Sequence, residues 1–153
     1  MSRLDETDMK ILTALCADAS VSVPKLSKDL GVNLSVTYSR IKRLQKKGVI
    51  GRFTIDVDEA ALGLPAGALV GLNLDPKLRE PAMAEVERSE GVRMVWQVTG
   101  RFDLMVALRG GSLDEVHRTV HDVMGKIPGV LHAELFMEVS KRVPPVRFRL
   151  PGR

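Results

Sequence analysis

Between Val23 and Gly48 the chain reads VPKLSKDLGVNLSVTYSRIKRLQKKG, two short helical patterns divided by a single glycine. No other stretch restricts the fold so tightly. Ser22 is a good N-cap and Pro24 is tolerated in a first turn, so Leu26 and Leu30, four apart, predict a short helix over Val23 to Leu30 that stops at Gly31. Asn33 then caps a second helix in which Thr37, Ile41 and Leu44 share one face, and Gly48 supplies its left-handed stop. Upstream, Leu4, Met9, Ile11, Leu12 and Leu15 recur near helical spacing around Asp5, which can cap, and this predicts a preceding helix from Asp5 to Ala17. Two short helices joined by a tight glycine turn describe a helix-turn-helix whose unit runs from Val23 to Lys42.

Charge adds chemistry to this unit. From Leu30 to Ile55 there are six cations (Arg40, Lys42, Arg43, Lys46, Lys47, Arg52) and no carboxylate. Residues 61–140 carry eight Lys and Arg against eleven Asp and Glu, and residues 141–153 carry five cations and no acid. Basic charge concentrated in two places, on a chain of net charge +4, is the pattern of local polyanion binding. A lysine-rich helix can also be merely solvated, but here a capped helix and a turn glycine precede it. The helix after Asn33 therefore reads as a recognition helix for double-stranded DNA. Ser35, Tyr38 and Ser39 are expected to reach base edges, and Arg40, Lys42, Arg43 and Lys46 to neutralise phosphates.

After Gly48, VIGRFTIDV suggests a strand and DEAALGLP a linker, which puts a boundary near Pro65. The expected division is 1–50 for DNA binding, 51–65 for strand and linker, 66–140 for a second domain and 141–153 for a basic tail. In the second domain, strands over Ala66 to Asp75, Val92 to Val98, Asp103 to Arg109 and Val130 to Val139 alternate with helices over Pro76 to Ser89 and Ser112 to Lys126. The first of those helices is expected to turn Leu78, Met83 and Val86 inward. In the second, Ser112 and Glu115 have capping-box spacing, and Leu113, Val116, Val120, Val123 and Ile127 are the expected buried stripe. The fold class is α+β: an N-terminal helix-turn-helix followed by a ferredoxin-like βαββαβ domain with both helices on one face of an antiparallel sheet. Strands with apolar residues on both faces, as at Val95 with Trp96 and Leu135 with Phe136, predict that a second subunit covers the other face.

These residues in this order resemble the Lrp/AsnC family of transcription regulators, the leucine-responsive and asparagine-responsive proteins. LDETDMKILTALCADA is similar to the family's first helix, LSKDLGVN and SRIKRLQKKGVI to its helix-turn-helix, VTGRFDLMVAL to its glycine-x-x-aspartate turn, and IPGVLHAELFMEV to its closing strand. The resemblance implies a homodimer, with assembly to a tetramer or octamer as the family allows. It also implies a small-molecule effector, such as an amino acid, in a cleft between dimers lined by Thr99, Gly100, Arg101, Asp103 and His132. On the residues alone, Gly100 and Asp103 read equally well as members of a tight β-connection. Ala133 and Leu135 stand where hydroxyl residues are common in the family, and Arg101 where an acidic or polar residue is frequent. The expected ligand is therefore less polar than usual or modestly bound.

No catalytic residue, metal or cofactor is expected. His117 and His121 lie i,i+4 on a helix without a third ligand at a clear spacing, and read as a polar flank to the buried stripe. Cys16, the single cysteine, leaves no internal disulfide, as in a reducing compartment. No apolar run is long enough for a membrane, so a cytoplasmic, nucleoid-associated protein without a membrane partner is expected. Haem-biosynthesis decarboxylases resemble the same two-domain architecture and are the enzyme alternative, but their aromatic and proline signatures are missing from DASVSVPKLSKDLG. The tail KRVPPVRFRLPGR is barred from a regular helix by its prolines. It reads as a loose terminus or edge-strand extension, or else as a contact to DNA or a neighbouring subunit.

Overall fold

A computed structural model of the chain describes residues 4–150, so the first three residues and the last three of the basic tail lie outside the described residues. The chain forms two compact units: Met1–Asp56 together with Arg142–Arg153, and Val57–Lys141.

In the first unit, α1 (Glu6–Ala17) begins at Asp5, whose carboxylate accepts from the Asp8 amide at 3.0 Å while the Asp8 carboxylate accepts from the Asp5 amide at 3.1 Å. This capping box satisfies two amides that a helix start otherwise leaves unpaired. Helix α2 (Val23–Leu30) is capped by Ser22 and stops at Gly31, whose φ of 64° is disfavoured for any residue with a β-carbon. Helix α3 (Leu34–Lys46) starts at Asn33, whose side chain accepts from the Ser35 amide at 2.9 Å. Met9, Ile11, Leu12, Leu26, Ile41 and Leu44 form the apolar core among the three helices. The three helices and caps lie where the sequence predicts them.

The strand expected after Gly48 is absent. Residues 51–57 are irregular, and Phe53, Ile55 and Val57 are exposed. Their β-branched and aromatic composition favours extended backbone, but no other segment among the described residues lends them a ladder. The tail does not extend the last strand either. Residues 141–150 are irregular, and the Phe148 amide donates to Thr13 Oγ1 of α1 at 3.0 Å.

The second unit is a four-stranded antiparallel sheet with helices α4 (Arg79–Arg88) and α5 (Leu113–Arg118). Its strands are β1 (Ala66–Leu74), β2 (Val92–Gln97), β3 (Leu104–Gly110) and β4 (Val130–Met137), in the order β2-β3-β1-β4 expected of a ferredoxin-like domain. Alternation divides the sheet into two faces. Ala68, Val70, Leu72, Leu104, Val106 and Leu108 meet Ala82, Val86, Val116, Val120 and Met124 in the core. On the opposite face Leu69, Met94, Trp96 and Phe136 are exposed.

Both helices depart in detail from the expected pattern. Leu78 sits exposed at the start of α4, since the chain turns through Lys77 and Leu78 before the helix begins; Ala82 takes the inward place beside Val86. Beyond α5 the helical run changes to a π-turn, Thr119–Val123, and a 3₁₀ turn, Met124–Lys126. The wider π-turn shifts the phase of the face, so Met124 is buried where Val123 was expected, and Leu113 and Val123 are exposed.

Candidate DNA-binding helix and effector turn

Helix α3 sends its charged residues in two directions. Thr37, Ile41 and Leu44 fill the core and fix the rotation of the helix. At 100° per residue, Ser35, Tyr38, Ser39, Lys42 and Lys46 then fall within roughly 100° of arc on the outer side, and all five are exposed. Tyr38, Lys42 and Lys46 have no hydrogen-bonding or ionic partner among the described residues. The Ser35 hydroxyl donates to Asn33 Oδ1 at 2.8 Å and the Ser39 hydroxyl to the Val36 carbonyl at 2.9 Å, so each keeps its acceptor lone pairs for a base donor. Leu34 and Val36 are exposed on the first turn as well, apolar positions that a search for polar base contacts passes over.

Arg40 and Arg43 face the other way. Arg40 Nη1 lies 2.6 Å from Asp5 Oδ2 and 2.9 Å from Asp8 Oδ1, and Arg43 Nη2 lies 2.7 Å from Asp8 Oδ2. Asp8 is fully buried. The Arg40 guanidinium holds the Asp5 carboxyl below its ordinary value of 3.8, and Asp5 and Asp8 in turn raise Arg40. Both arginines, expected from the sequence to neutralise phosphates, are paired in this structure with carboxylates of Asp5 and Asp8. The signal was present in the sequence as two acids three apart in one helix and two arginines three apart in another, but it links residues 32 and more positions apart.

The turn between β2 and β3 is tied to β1 and β4. The Asp103 amide donates to the Leu72 carbonyl at 2.9 Å, and Asn73 Nδ2 donates to the Arg101 carbonyl at 2.8 Å. Gly100 has φ 125° and open space around it, with Thr99 exposed beside it. Asp103 is committed at both oxygens: Oδ2 accepts from the Leu74 amide at 2.9 Å and Oδ1 pairs with Arg79 at 2.6 Å. It braces the turn and is not a free acceptor. Arg101 instead pairs with Glu134 of β4 at 2.5 Å, stacks its guanidinium 5.2 Å from the Phe102 ring centre, and is largely exposed. His132 Nε2 stands 4.0 Å from the same Glu134 carboxylate. The structure therefore brings Arg101 and His132 together at Glu134, a residue the sequence did not single out, while Thr99 and Gly100 lie exposed in the turn beside Arg101. Phe102 packs over Gly71 so closely that a β-carbon there would lie 2.6 Å from its ring. A separate cavity of about 300 Å³ is lined by Gly91, Arg93, Arg109 and Glu115, but both of its arginines pair with Glu59, and Arg109 with Glu138 as well.

Residues 4–50 match the winged helix-turn-helix DNA-binding family and residues 67–144 match the Lrp/AsnC ligand binding domain. The chain is 31% identical to the transcriptional regulator LysM of Sulfurisphaera tokodaii over 86% of its own length and 91% of that protein. It is 32% identical to the transcriptional regulator AzlB of Bacillus subtilis over 91% and 92%. Among solved structures, a Neisseria meningitidis transcriptional regulator in complex with L-Met superposes with TM-score 0.89 at 21% identity, covering 97% of each chain. Escherichia coli AsnC gives TM-score 0.83 at 23% identity, covering 97% of this chain and 99% of its own.

Proposed function

The chain belongs to the Lrp/AsnC family of transcription regulators, and from that premise we propose that it binds specific operator DNA as a dimer through the outer stripe of α3, under control of a small amino acid or related metabolite bound between dimers. The observation that carries the DNA-binding part is the sorting of α3. Arg40 and Arg43 are balanced by acids of α1, which leaves Tyr38, Lys42 and Lys46 as a compact stripe free to meet a duplex. Tyr38, Ser35 and Ser39 are assigned to base edges and Lys42 and Lys46 to phosphates. The relatives with printed names are regulators, which favours this reading over a decarboxylase. On this reading its place of work is the nucleoid. No helix among the described residues is long and apolar enough to cross a membrane.

The effector part rests on the polar cluster around Glu134. Backbone donors near Gly100 and the Arg101 guanidinium suit a carboxylate, while Glu134 supplies the acceptor for an ammonium that Asp103 cannot. An amino acid that separates Arg101 from Glu134 satisfies both. The neighbour solved with L-Met supports a ligand of this class.

The test is a salt titration of DNA binding. Lys42→Ala with Lys46→Ala should flatten the slope of log K against log salt by up to about 1.8 per protomer, at about 0.9 for each phosphate left unneutralised. The melting temperature should hardly change. An unaltered slope would remove α3 as the phosphate-contacting element.

A further inference from the structure

The basic tail is separated from the helix-turn-helix in sequence by the whole acidic domain, yet it folds into the DNA-binding unit. Its contribution there is large. Residues 1–56 hold ten lysines and arginines against six acids, a net +4; residues 142–153 hold four arginines and no acid, which doubles the unit to +8. Residues 57–141, with nine cations and thirteen acids, are at −4. The overall +4 of the chain thus conceals a strongly basic unit and an acidic one.

The arrangement of the tail shows where its charge goes. In VRFRL, residues 146–150, apolar and arginine residues alternate. Val146, Phe148 and Leu150 are 50%, 41% and 39% exposed, whereas Val139 and Val143, earlier in the segment, are 98% and 72% exposed. The later three are less exposed than the earlier two, and all five reach solvent. The Phe148 amide is held by Thr13 of α1 at 3.0 Å. Arg147 and Arg149 are exposed, as is Arg142, and none of the three has an acidic partner among the described residues. This is the reverse of Arg40 and Arg43.

We infer that residues 142–150 are a second phosphate-contacting element, a strap over α1 that presents Arg142, Arg147 and Arg149 to the backbone of bound DNA. The inference rests on the DNA-binding reading of α3 and extends the footprint beyond it. The contacts carry no base information, because arginines meeting phosphates through exposed side chains read charge and position only.

The experiment compares the full-length protein with the triple variant Arg142→Gln, Arg147→Gln, Arg149→Gln, which leaves the contact of the Phe148 amide with Thr13 in place. Binding to a mixed-sequence duplex a few helical turns long is titrated at several salt concentrations, with the Lys42→Ala, Lys46→Ala variant as a parallel arm. The slope of log K against log salt should flatten by up to about 2.7 per protomer in the triple variant, about 0.9 for each arginine. Thr13→Ala should give a smaller change in the same direction by loosening the strap. An unchanged slope and affinity in the triple variant, while the lysine variant loses both, would overturn the strap and leave α3 standing. If the triple variant binds DNA normally but changes mass in light scattering, the tail is a subunit contact and the inference fails. No effect in either arm would remove the DNA-binding reading beneath it.

Discussion

Asp8 carries its carboxylate into a fully buried position, where an unpaired charge costs several kcal/mol. Two guanidiniums and the Asp5 amide meet it there, so α1 and α3 are joined by charge as well as by Ile11 and Leu44. Asp8→Ala should leave Arg40 and Arg43 without their shared partner. The expected loss in chemical denaturation is near the lower end of roughly 3–5 kcal/mol, because both guanidiniums keep some access to water. Asp5 gives a second readout through pH. Its folded-state pKa is depressed, chiefly by the hydrogen bond from Arg40, so the stability it contributes is fully present above 3.8 and is lost as pH falls through the lower folded value. The wild type should therefore lose more stability below pH 3.8 than Asp5→Asn does. Equal acid sensitivity of the two would assign that loss to other carboxylates. The capping roles of Asp5, Ser22 and Asn33 were legible in the sequence because a cap acts within three residues. The partners of Arg40 and Arg43 were not, because charge alone does not say whether an arginine faces a phosphate or an aspartate across a helix pair.

Among the elements, the helical run from Leu113 to Lys126 shows where periodicity stops being a guide. A stripe of Val116, Val120, Val123 and Ile127 fits an uninterrupted α-helix, and so does one through Met124, since both residues are apolar. The π-turn at Thr119–Val123 selects the second. Met124→Ala should accordingly cost about 2–5 kcal/mol by opening a cavity in the core, whereas Val123→Ala should cost no more than about 0.5 kcal/mol. Urea denaturation of both variants checks this, and the opposite order would mean a regular helix with Val123 inside. The alternation of strands and helices in the second domain was readable, since each segment carries its own period. The segment at residues 51–57 misled for the complementary reason. Its composition favours extended backbone, but a strand also needs a partner, which composition does not supply.

At the scale of the whole molecule, the uncovered face of the sheet has a composition that water alone does not explain. The strand register sets Phe136, Leu69, Ala107 and Met94 in one row across all four strands, with Met105 and Trp96 in the next. Phe136, Leu69, Met94 and Trp96 are all exposed. A continuous apolar surface of this kind suits a second copy of the chain, and a stable pair needs about 800 Å² from each partner. Leu69 sits at the centre of the row with its side chain away from the core, so Leu69→Glu should spare the fold while placing a charge in the middle of the interface. The variant should scatter light as a monomer at concentrations where the wild type is a dimer, with an unchanged far-ultraviolet circular dichroism spectrum. DNA binding should respond in a specific way. A monomer neutralises half as many phosphates as a dimer, so the slope of log K against log salt should fall to about half, at about 0.9 for each phosphate left unneutralised. Operator preference should weaken with it, since one recognition helix reads one half-site. A Leu69→Glu protein that remains dimeric and keeps the full slope would place the subunit interface elsewhere, with the exposed residues Phe53, Ile55 and Val57 as the next surface to alter.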